Sequence, residues 1–310
     1  MVGAATTTSP SPSSTEATVG PPFTRDAAHK DQFEALRRDL NADLPVVPGT
    51  PSAWLDDACL WRHLRARDYA VPAAVAAVRE TYTWRQSFGV DGLMAAVSAA
   101  APAAFTGALS ASDDANVQLV HAVSASGKQF VRGACAARRP ILVMRPGRGV
   151  VEFKDSPANI LQLVYSLERA MAAMPFGVEK LTLLIDFVGY SRRVSPSFAM
   201  QRTTLTILQH HYPERLGLAV MWAAPRLFHV AFKAIRPFID PVTAGKIVFV
   251  YPDVAADTAR MAALFEEGAL LTDFGGSDGW TYSNSAYFGV AGGGGVLPMH
   301  MRSGAAQVGE

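Results

Sequence analysis

The sequence has too few cysteines, too short apolar runs and too little net charge for several classes of protein. Its 310 residues include two cysteines, Cys59 and Cys135, which lie far apart. This argues against a disulfide scaffold and for a reducing compartment. The strongest apolar run, residues 216–224, has nine residues, and about 18 would be needed to span a bilayer.

Charge is balanced along the chain. It has 28 Lys and Arg against 27 Asp and Glu, a formal net charge of +1, so nucleic acid is not an expected partner. No Cys/His spacing typical of a metal site occurs, and the adjacent His210 and His211 would point about 100° apart on a helix. Nucleotide-binding glycine motifs are also missing. We therefore expect neither a metal nor a cofactor.

Both ends of the chain lack apolar periodicity. Residues 1–22 are rich in Ser, Thr and Pro, and residues 289–310 contain the four glycines of residues 292–295. Such composition predicts a disordered N-terminal tail and a flexible Gly-rich C-terminal tail. The Ser/Thr/Pro-rich start leaves plastid targeting open.

The first part of the chain reads as helical. Apolar spacing predicts a helix over Thr24–Leu40 and another that starts at Asp56 and Asp57, because carboxylates favour a helix start. This second helix is expected to turn Leu60 and Leu64 inward. Its basic residues are expected to face outward: Arg62, Arg65 and Arg67. A third helix opens at Pro72.

The period then changes to that of strands. Five apolar runs predict strands at Gln129–Arg132, Ile141–Met144, Leu181–Phe187, Leu218–Trp222 and Ile247–Val250. Helical patterns separate most of these runs. This alternation predicts an α/β fold with a mostly parallel sheet covered by helices.

One helix pattern, Arg226–Arg236, has an unusual composition. Pro225 opens it and Pro237 stops it. Its polar side chains recur every three or four residues and predict one basic stripe: Arg226, His229, Lys233 and Arg236. An apolar helix with a thin basic stripe suits an anionic membrane surface. An ordinary surface helix packed on the core is the alternative.

Longer motifs surround this helix. YPERLG occupies residues 212–217, AAP residues 223–225, PFIDPVTAGK residues 237–246 and FGG residues 274–276. In this order they resemble the CRAL-TRIO lipid-binding family, and within it the yeast-type phosphatidylinositol/phosphatidylcholine transfer proteins. The resemblance implies a helical N-terminal subdomain over residues 23–100. It also implies a lipid-binding domain over residues 110–280, with a five-stranded, mostly parallel sheet and a mobile gate helix.

The resemblance also implies site residues. A phosphatidylinositol head-group site would be formed by Glu214, Lys246, Thr243, Arg215 and Arg67. The gate helix would contact the membrane through Leu227, Phe228, Phe232, Lys233, Ile235 and Arg236.

Two positions depart from the family's pattern. Asp68 stands where the transfer proteins often have lysine, which places a carboxylate near the expected phosphate. Leu181 and Leu183 stand where that family has the hydroxyl residues that handle phosphatidylcholine. The identity of a second exchanged lipid therefore stays open.

We accordingly expect a monomeric protein with no catalytic residues, which binds phosphatidylinositol and exchanges it between membranes or presents it to a phosphatidylinositol kinase. Such a protein would be cytoplasmic and peripheral on endomembranes. One alternative is a carrier of another hydrophobic ligand, such as a sterol, tocopherol or retinoid-like molecule, and another is a lipid-sensing scaffold. A hydrolase is a weaker alternative, because the Gly275–Gly279 segment matches a G-x-S-x-G elbow without a preceding strand.

Overall fold

The computed structural model describes five stretches of the chain: residues 27–44, 54–104, 114–236, 241–265 and 268–288. The two predicted tails, residues 1–22 and 289–310, lie outside them. Within the described stretches, no helix combines the length and apolar character needed to cross a bilayer.

Helices make up the first part of the chain. They are α1 (Lys30–Asn41), α2 (Asp57–Arg65), α3 (Val71–Phe88), α4 (Val90–Ala104) and α5 (Ala115–Ser124). The first three share an apolar core that includes Leu36, Leu64 and Val78. At the start of α2, the Asp56 carboxylate accepts a hydrogen bond from the Cys59 backbone N–H at 2.7 Å, as expected of an N-cap.

The rest of the described chain alternates strands with helices. The strands are β1 (Gln129–Ala134), β2 (Pro140–Met144), β3 (Leu181–Asp186), β4 (Leu216–Trp222) and β5 (Ile247–Val250). The helices are α6 (Pro157–Ala172), α7 (Phe198–His211), α8 (Arg226–Ile235), α9 (Pro241–Gly245), α10 (Ala255–Leu264) and α11 (Asn284–Phe288).

The five strands form one sheet in the order β1-β2-β3-β4-β5. The β1–β2 pair is antiparallel, and the other three pairs are parallel. The predicted α/β class and the mostly parallel five-stranded sheet are therefore confirmed. Each parallel pair needs a crossover connection, which the intervening helices supply.

The two faces of the sheet are packed differently. On the first face, Val143, Leu184 and Val220 are at most 1% exposed and pack with Met261 of α10 and with Phe274. The chain continues to pack in this cluster through Phe288 of α11, which is 2% exposed. The second face is covered less completely.

A buried ion pair joins the N-terminal helices to the sheet region. Arg85 on α3 and Glu168 on α6 lie 2.7 Å apart, with side chains 6% and 12% exposed. The Tyr212 hydroxyl donates a hydrogen bond to the same carboxylate at 2.8 Å. Burial and the Glu168 charge raise the pKa of Tyr212 well above its usual value, so the phenol stays a donor. The tyrosine of the YPERLG motif thus has a structural role.

We expect Glu168→Gln to lower the free energy of unfolding by about 3 kcal/mol, because it leaves the buried Arg85 without its main counter-charge. Asp91 also contacts Arg85, at 2.8 Å, but its side chain is 85% exposed. Asp91→Asn is therefore the matched control, with a loss below about 1 kcal/mol. Urea denaturation of both variants checks this, and equal losses would contradict it.

Candidate functional site

An apolar cleft lies over the second face of the sheet. Leu183 and Ile185 are in the middle of the central strand, β3, yet both are only half-buried. Their neighbour Leu184, which points to the first face, is 1% exposed. A mostly parallel sheet is normally covered on both faces. The partial exposure of these two residues therefore indicates open space above the centre of the sheet.

The floor of this cleft has two rows of apolar residues. Strand register places Leu142, Leu183, Ala219 and Ile247 in one row and Met144, Ile185, Met221 and Phe249 in the next. No charged side chain occurs in either row. The floor extends across four strands and suits a long hydrocarbon chain.

Helix α6 covers the Leu142 end of this floor, where Leu142 is fully buried in one cluster with Val164 and Leu167, and two further helices cover the rest in part. Ile207 on α7 packs in the same cluster as Leu142, with Leu183 at its edge. Phe232 on α8 packs on Phe249 of β5, with ring centroids 5.4 Å apart. Both helices thus lie on the second face, above the cleft.

Helix α8 is the predicted gate helix and matches its predicted bounds within one residue. Leu227 is 73% exposed and Phe228 is 36% exposed, and Lys233 and Arg236 are also exposed. Phe232 is half-buried and packs against the floor. Nothing is described for the side chain of Ile235.

The predicted basic stripe on this helix is wrong for His229. The imidazole stacks on Phe249 at 4.4 Å and lies within hydrogen-bond distance of the Tyr251 hydroxyl, 3.2 Å away. Partial burial, and then the charges of Lys233 and Arg226, lower the pKa of His229. The ring therefore carries little charge at neutral pH. Its position in the helical repeat matches that of the lysine and arginines, so spacing alone could not separate it from them.

Three charged residues precede the parallel strands β3, β4 and β5. They are Lys180, Arg215 and Lys246, and Glu214 stands beside Arg215. Since parallel strands start at the same edge of a sheet, the fold brings these residues to one end of the cleft. Glu214 has a φ of 57° at the turn before β4, and its carboxylate lies 3.6 Å from the Lys180 ammonium.

The predicted pair of Glu214 and Lys246 is only partly brought together. Ala219 donates a backbone hydrogen bond to the Lys246 carbonyl at 2.7 Å, which places Lys246 level with Leu218, four residues after Glu214. Between these two side chains the described structure shows no ion pair. Each is half-buried at the same edge of the sheet.

Helix α2 adds arginines to this edge. Arg62 and Arg65 lie 3.6 and 2.9 Å from the Glu179 carboxylate. The Arg215 guanidinium donates to the Glu179 carbonyl at 2.8 Å. Burial and the nearby charge of Arg62 lower the pKa of Arg215 to about 10, which leaves it charged at neutral pH. Three arginines thus converge on one glutamate, an excess of positive charge.

The expectation that Arg62 faces outward is wrong, because its side chain is 6% exposed. It points inward because Glu179, 117 residues away in sequence, offers a buried carboxylate. Arg67 is half-buried, donates to the Ala66 carbonyl at 3.2 Å, and is followed by an exposed Asp68. The side chain of Thr243 lies outside the described part of the structure.

The sequence prediction missed Glu179 and Lys180 as members of this edge. A signal was present, since both directly precede the uncharged start of β3 and so must lie at its amino end.

The glycine of YPERLG, Gly217, is required by a close contact with a neighbouring side chain. A Cβ on Gly217 would lie 2.6 Å from Cδ of Arg139. The Arg139 side chain therefore has room to pass over the strand at this position because the residue there is glycine.

Comparison with known proteins agrees with this architecture. The family model of the CRAL/TRIO domain matches residues 124–276. A CRAL-TRIO domain-containing protein of Schizosaccharomyces pombe is 35% identical over 235 residues, which are 76% of this chain and 20% of that protein. The fold and these matches show that residues 124–276 form a CRAL/TRIO domain.

Other relatives carry more specific names. The phosphatidylinositol transfer protein PDR17 of Saccharomyces cerevisiae is 31% identical over 204 residues, 64% of this chain and 53% of PDR17. The SEC14 cytosolic factor of Eremothecium gossypii is 25% identical over 74% of this chain and 70% of that protein. The chain thus spans a fifth of the Schizosaccharomyces protein and about half of PDR17.

A solved structure agrees at the level of the fold. The crystal structure of Sfh5 superimposes with a TM-score of 0.56 at 15% identity, and the match covers 85% of this chain and 91% of that one.

One histidine beside the arginine edge gives a testable pH effect. His63 is 2% exposed, and its Nδ1 lies 3.0 Å from the Cys59 carbonyl. Burial lowers its pKa to about 4 from an ordinary value of 6.5. Between these pH values the unfolded chain binds the proton and the folded chain does not. Stability therefore falls as pH falls through this window.

We expect the free energy of unfolding to drop between about pH 7 and pH 4, with His63 contributing about 3 kcal/mol. His63→Gln should reduce this pH dependence, measured by urea denaturation at several pH values. The exposed His210→Gln is the control and should retain it. An unchanged slope in His63→Gln would show that folding does not lower the pKa of His63.

Proposed function

We propose that this chain binds a phospholipid in the cleft and transfers phosphatidylinositol between membranes. The observation that carries the proposal is the partial exposure of Leu183 and Ile185, two apolar residues on the central strand of the sheet. PDR17 is named a phosphatidylinositol transfer protein, which supports this choice of ligand.

The energetics of lipid extraction favour such a cleft. Burying a lipid chain is worth about 0.8 kcal/mol per CH₂, so some thirty methylenes amount to roughly 24 kcal/mol. A protein can remove the lipid from a bilayer only if it covers those methylenes with apolar surface. The two floor rows and the apolar residues of α8 supply that surface, and α8 would act as the gate.

The charged edge supplies complementary chemistry for the head group. A phosphodiester requires cations and N–H donors, which Arg215, Lys180 and Lys246 offer. Inositol hydroxyls require acceptors, and the half-exposed Glu214 carboxylate is one. In this proposal Arg67 and Thr243 complete the head-group site, and Lys180 replaces the cation that Asp68 does not provide.

One feature favours a less polar second ligand than phosphatidylcholine. Leu183 occupies a position expected to carry a hydroxyl, and it faces the cleft. A sterol-like molecule or another largely apolar lipid fits such a floor. We infer that the chain presents or exchanges lipid without catalysis, with a lipid kinase as the candidate recipient.

Filling the cleft tests whether it holds lipid. Leu183→Trp should abolish lipid copurification while leaving the melting temperature unchanged or higher, because the indole occupies open space. Leu184→Trp is the matched control on the adjacent residue of the same strand. It should lower the free energy of unfolding by about 1–3 kcal/mol, because its face is already filled.

Native mass spectrometry and lipid extraction measure the bound lipid. If Leu183→Trp keeps its lipid and loses stability, the second face is a solid core and the proposed cleft is wrong.

Removing Glu214 and Lys246 together tests the head-group assignment. Charge-assisted hydrogen bonds are worth about 1.5–3 kcal/mol each, so Glu214→Ala with Lys246→Ala should weaken phosphatidylinositol binding by roughly two to four orders of magnitude. Both side chains are half-exposed, so folding should be retained. A ligand held only by its tails should still bind.

Transfer of phosphatidylinositol between vesicles provides the measurement, with a circular dichroism melt as the folding check. Wild-type transfer by the folded double variant would mean that the head group lies elsewhere.

A further inference from the structure

A second apolar and basic surface lies beside the cleft, outside the gate helix. It comprises the loop between β3 and α7, residues 187–197, together with the outward side of α7. We call it the α7 surface. Its exposed members are Val188, Arg192, Arg193, Phe198, Arg202 and Leu205.

The apolar members of the α7 surface are unusually exposed. Val188 is 62%, Phe198 81% and Leu205 55% exposed. On α7 the buried side chains are Ile207 and His211, four residues apart on the inward side. Phe198 and Leu205 are seven residues apart, so they share one side of the helix, and that side faces away from the sheet. Phe198 and Leu205 are therefore exposed because of the way α7 packs on the sheet.

Charge on the α7 surface is of one sign. From residue 187 to residue 213 the sequence contains no Asp or Glu, whereas it contains Arg192, Arg193 and Arg202. All three arginines are exposed, and the described part of the chain offers none of them an ion-pair partner. The carboxylates that contact this segment do so away from the arginines. Asp186 accepts the Val188 backbone N–H at 2.9 Å and Asp155 accepts the Ser197 backbone N–H at 2.7 Å, while Glu80 and Glu168 contact His210 and Tyr212 at the far end of α7.

The α7 surface is continuous with the gate helix. Phe228, in the first turn of α8, lies 5.5 Å from Phe187 and 5.6 Å from Tyr190, ring centroid to ring centroid. Exposed Leu227 adjoins this contact on α8. The loop after β3 and the start of the helix after β4 therefore form one edge of the cleft.

We propose that the α7 surface is a second membrane-contact surface that binds an anionic bilayer. Exposed apolar side chains flanked by unpaired arginines match the acyl boundary and the anionic head groups of such a bilayer. The proposal extends the proposed function from the gate helix to a second element, and it does not depend on which lipid occupies the cleft.

Co-sedimentation with vesicles tests the proposal directly. Phe198→Ala with Leu205→Ala should lower partitioning onto phosphatidylcholine vesicles containing phosphatidylserine by about tenfold or more. Arg192→Gln with Arg193→Gln should lower it by about tenfold at low salt and by less at high salt. On pure phosphatidylcholine the arginine variants should match the wild-type chain.

Matched controls come from exposed residues on other elements. Leu119 on α5 is 39% exposed, and Arg260 is exposed on α10, which packs on the first face. Leu119→Ala and Arg260→Gln should bind vesicles as the wild-type chain does. Native mass spectrometry of copurified lipid separates the two proposals, since the α7-surface variants should still carry lipid.

Two outcomes would overturn the proposal. One is unchanged vesicle binding by both double variants. The other is a concentration-dependent dimer, seen by light scattering, that the Phe198/Leu205 variant abolishes while vesicle binding persists. In that case the surface binds a second copy of the chain.

Discussion

Parallel pairing of β2, β3, β4 and β5 is the constraint on which the rest of the structure depends. It gathers the amino ends of three strands at one edge, where Lys180, Glu214, Arg215 and Lys246 lie. It gathers the carboxyl ends at the other edge, where the connections to α7 and α8 leave the sheet. The topology of the sheet therefore separates the charged residues at one edge from the apolar helices that begin at the other.

The same pairing determines the character of the cleft. In-register parallel strands place every second residue on one face, so a single row crosses the sheet with uniform chemistry. Here that chemistry is apolar throughout both rows of the second face. A solid core would need helices packed closely along the whole of these rows, whereas α6 covers the Leu142 end and Leu183, Ile185 and Met221 stay partly exposed. The incomplete cover separates a lipid-binding domain from an ordinary α/β domain.

The sequence allowed the strands to be predicted well, because uncharged runs such as Leu181–Phe187 leave few alternatives to a buried strand. It did not allow the cleft to be predicted, since Leu183 and Leu184 are the same residue type and differ only in which face they meet. The inward position of Arg62 was also out of reach, because its partner Glu179 lies on a distant segment. Helix α5 was not among the predicted elements, although Asp114 is a typical helix N-cap residue. Its carboxylate accepts hydrogen bonds from the Asn116 and Val117 backbone N–H groups.

The contacts that hold α8 against the rest of the domain differ in their response to solvent. Arg226 pairs with Asp253 at 3.0 Å, but both side chains are more than 60% exposed, and such a pair is weak. Phe228 and Phe232 instead rest on rings of the loop and of β5. The opening of α8 that the proposed function requires would therefore mainly separate aromatic surfaces, so its barrier should depend little on ionic strength. A bilayer would lower that barrier by offering those rings an equally apolar environment.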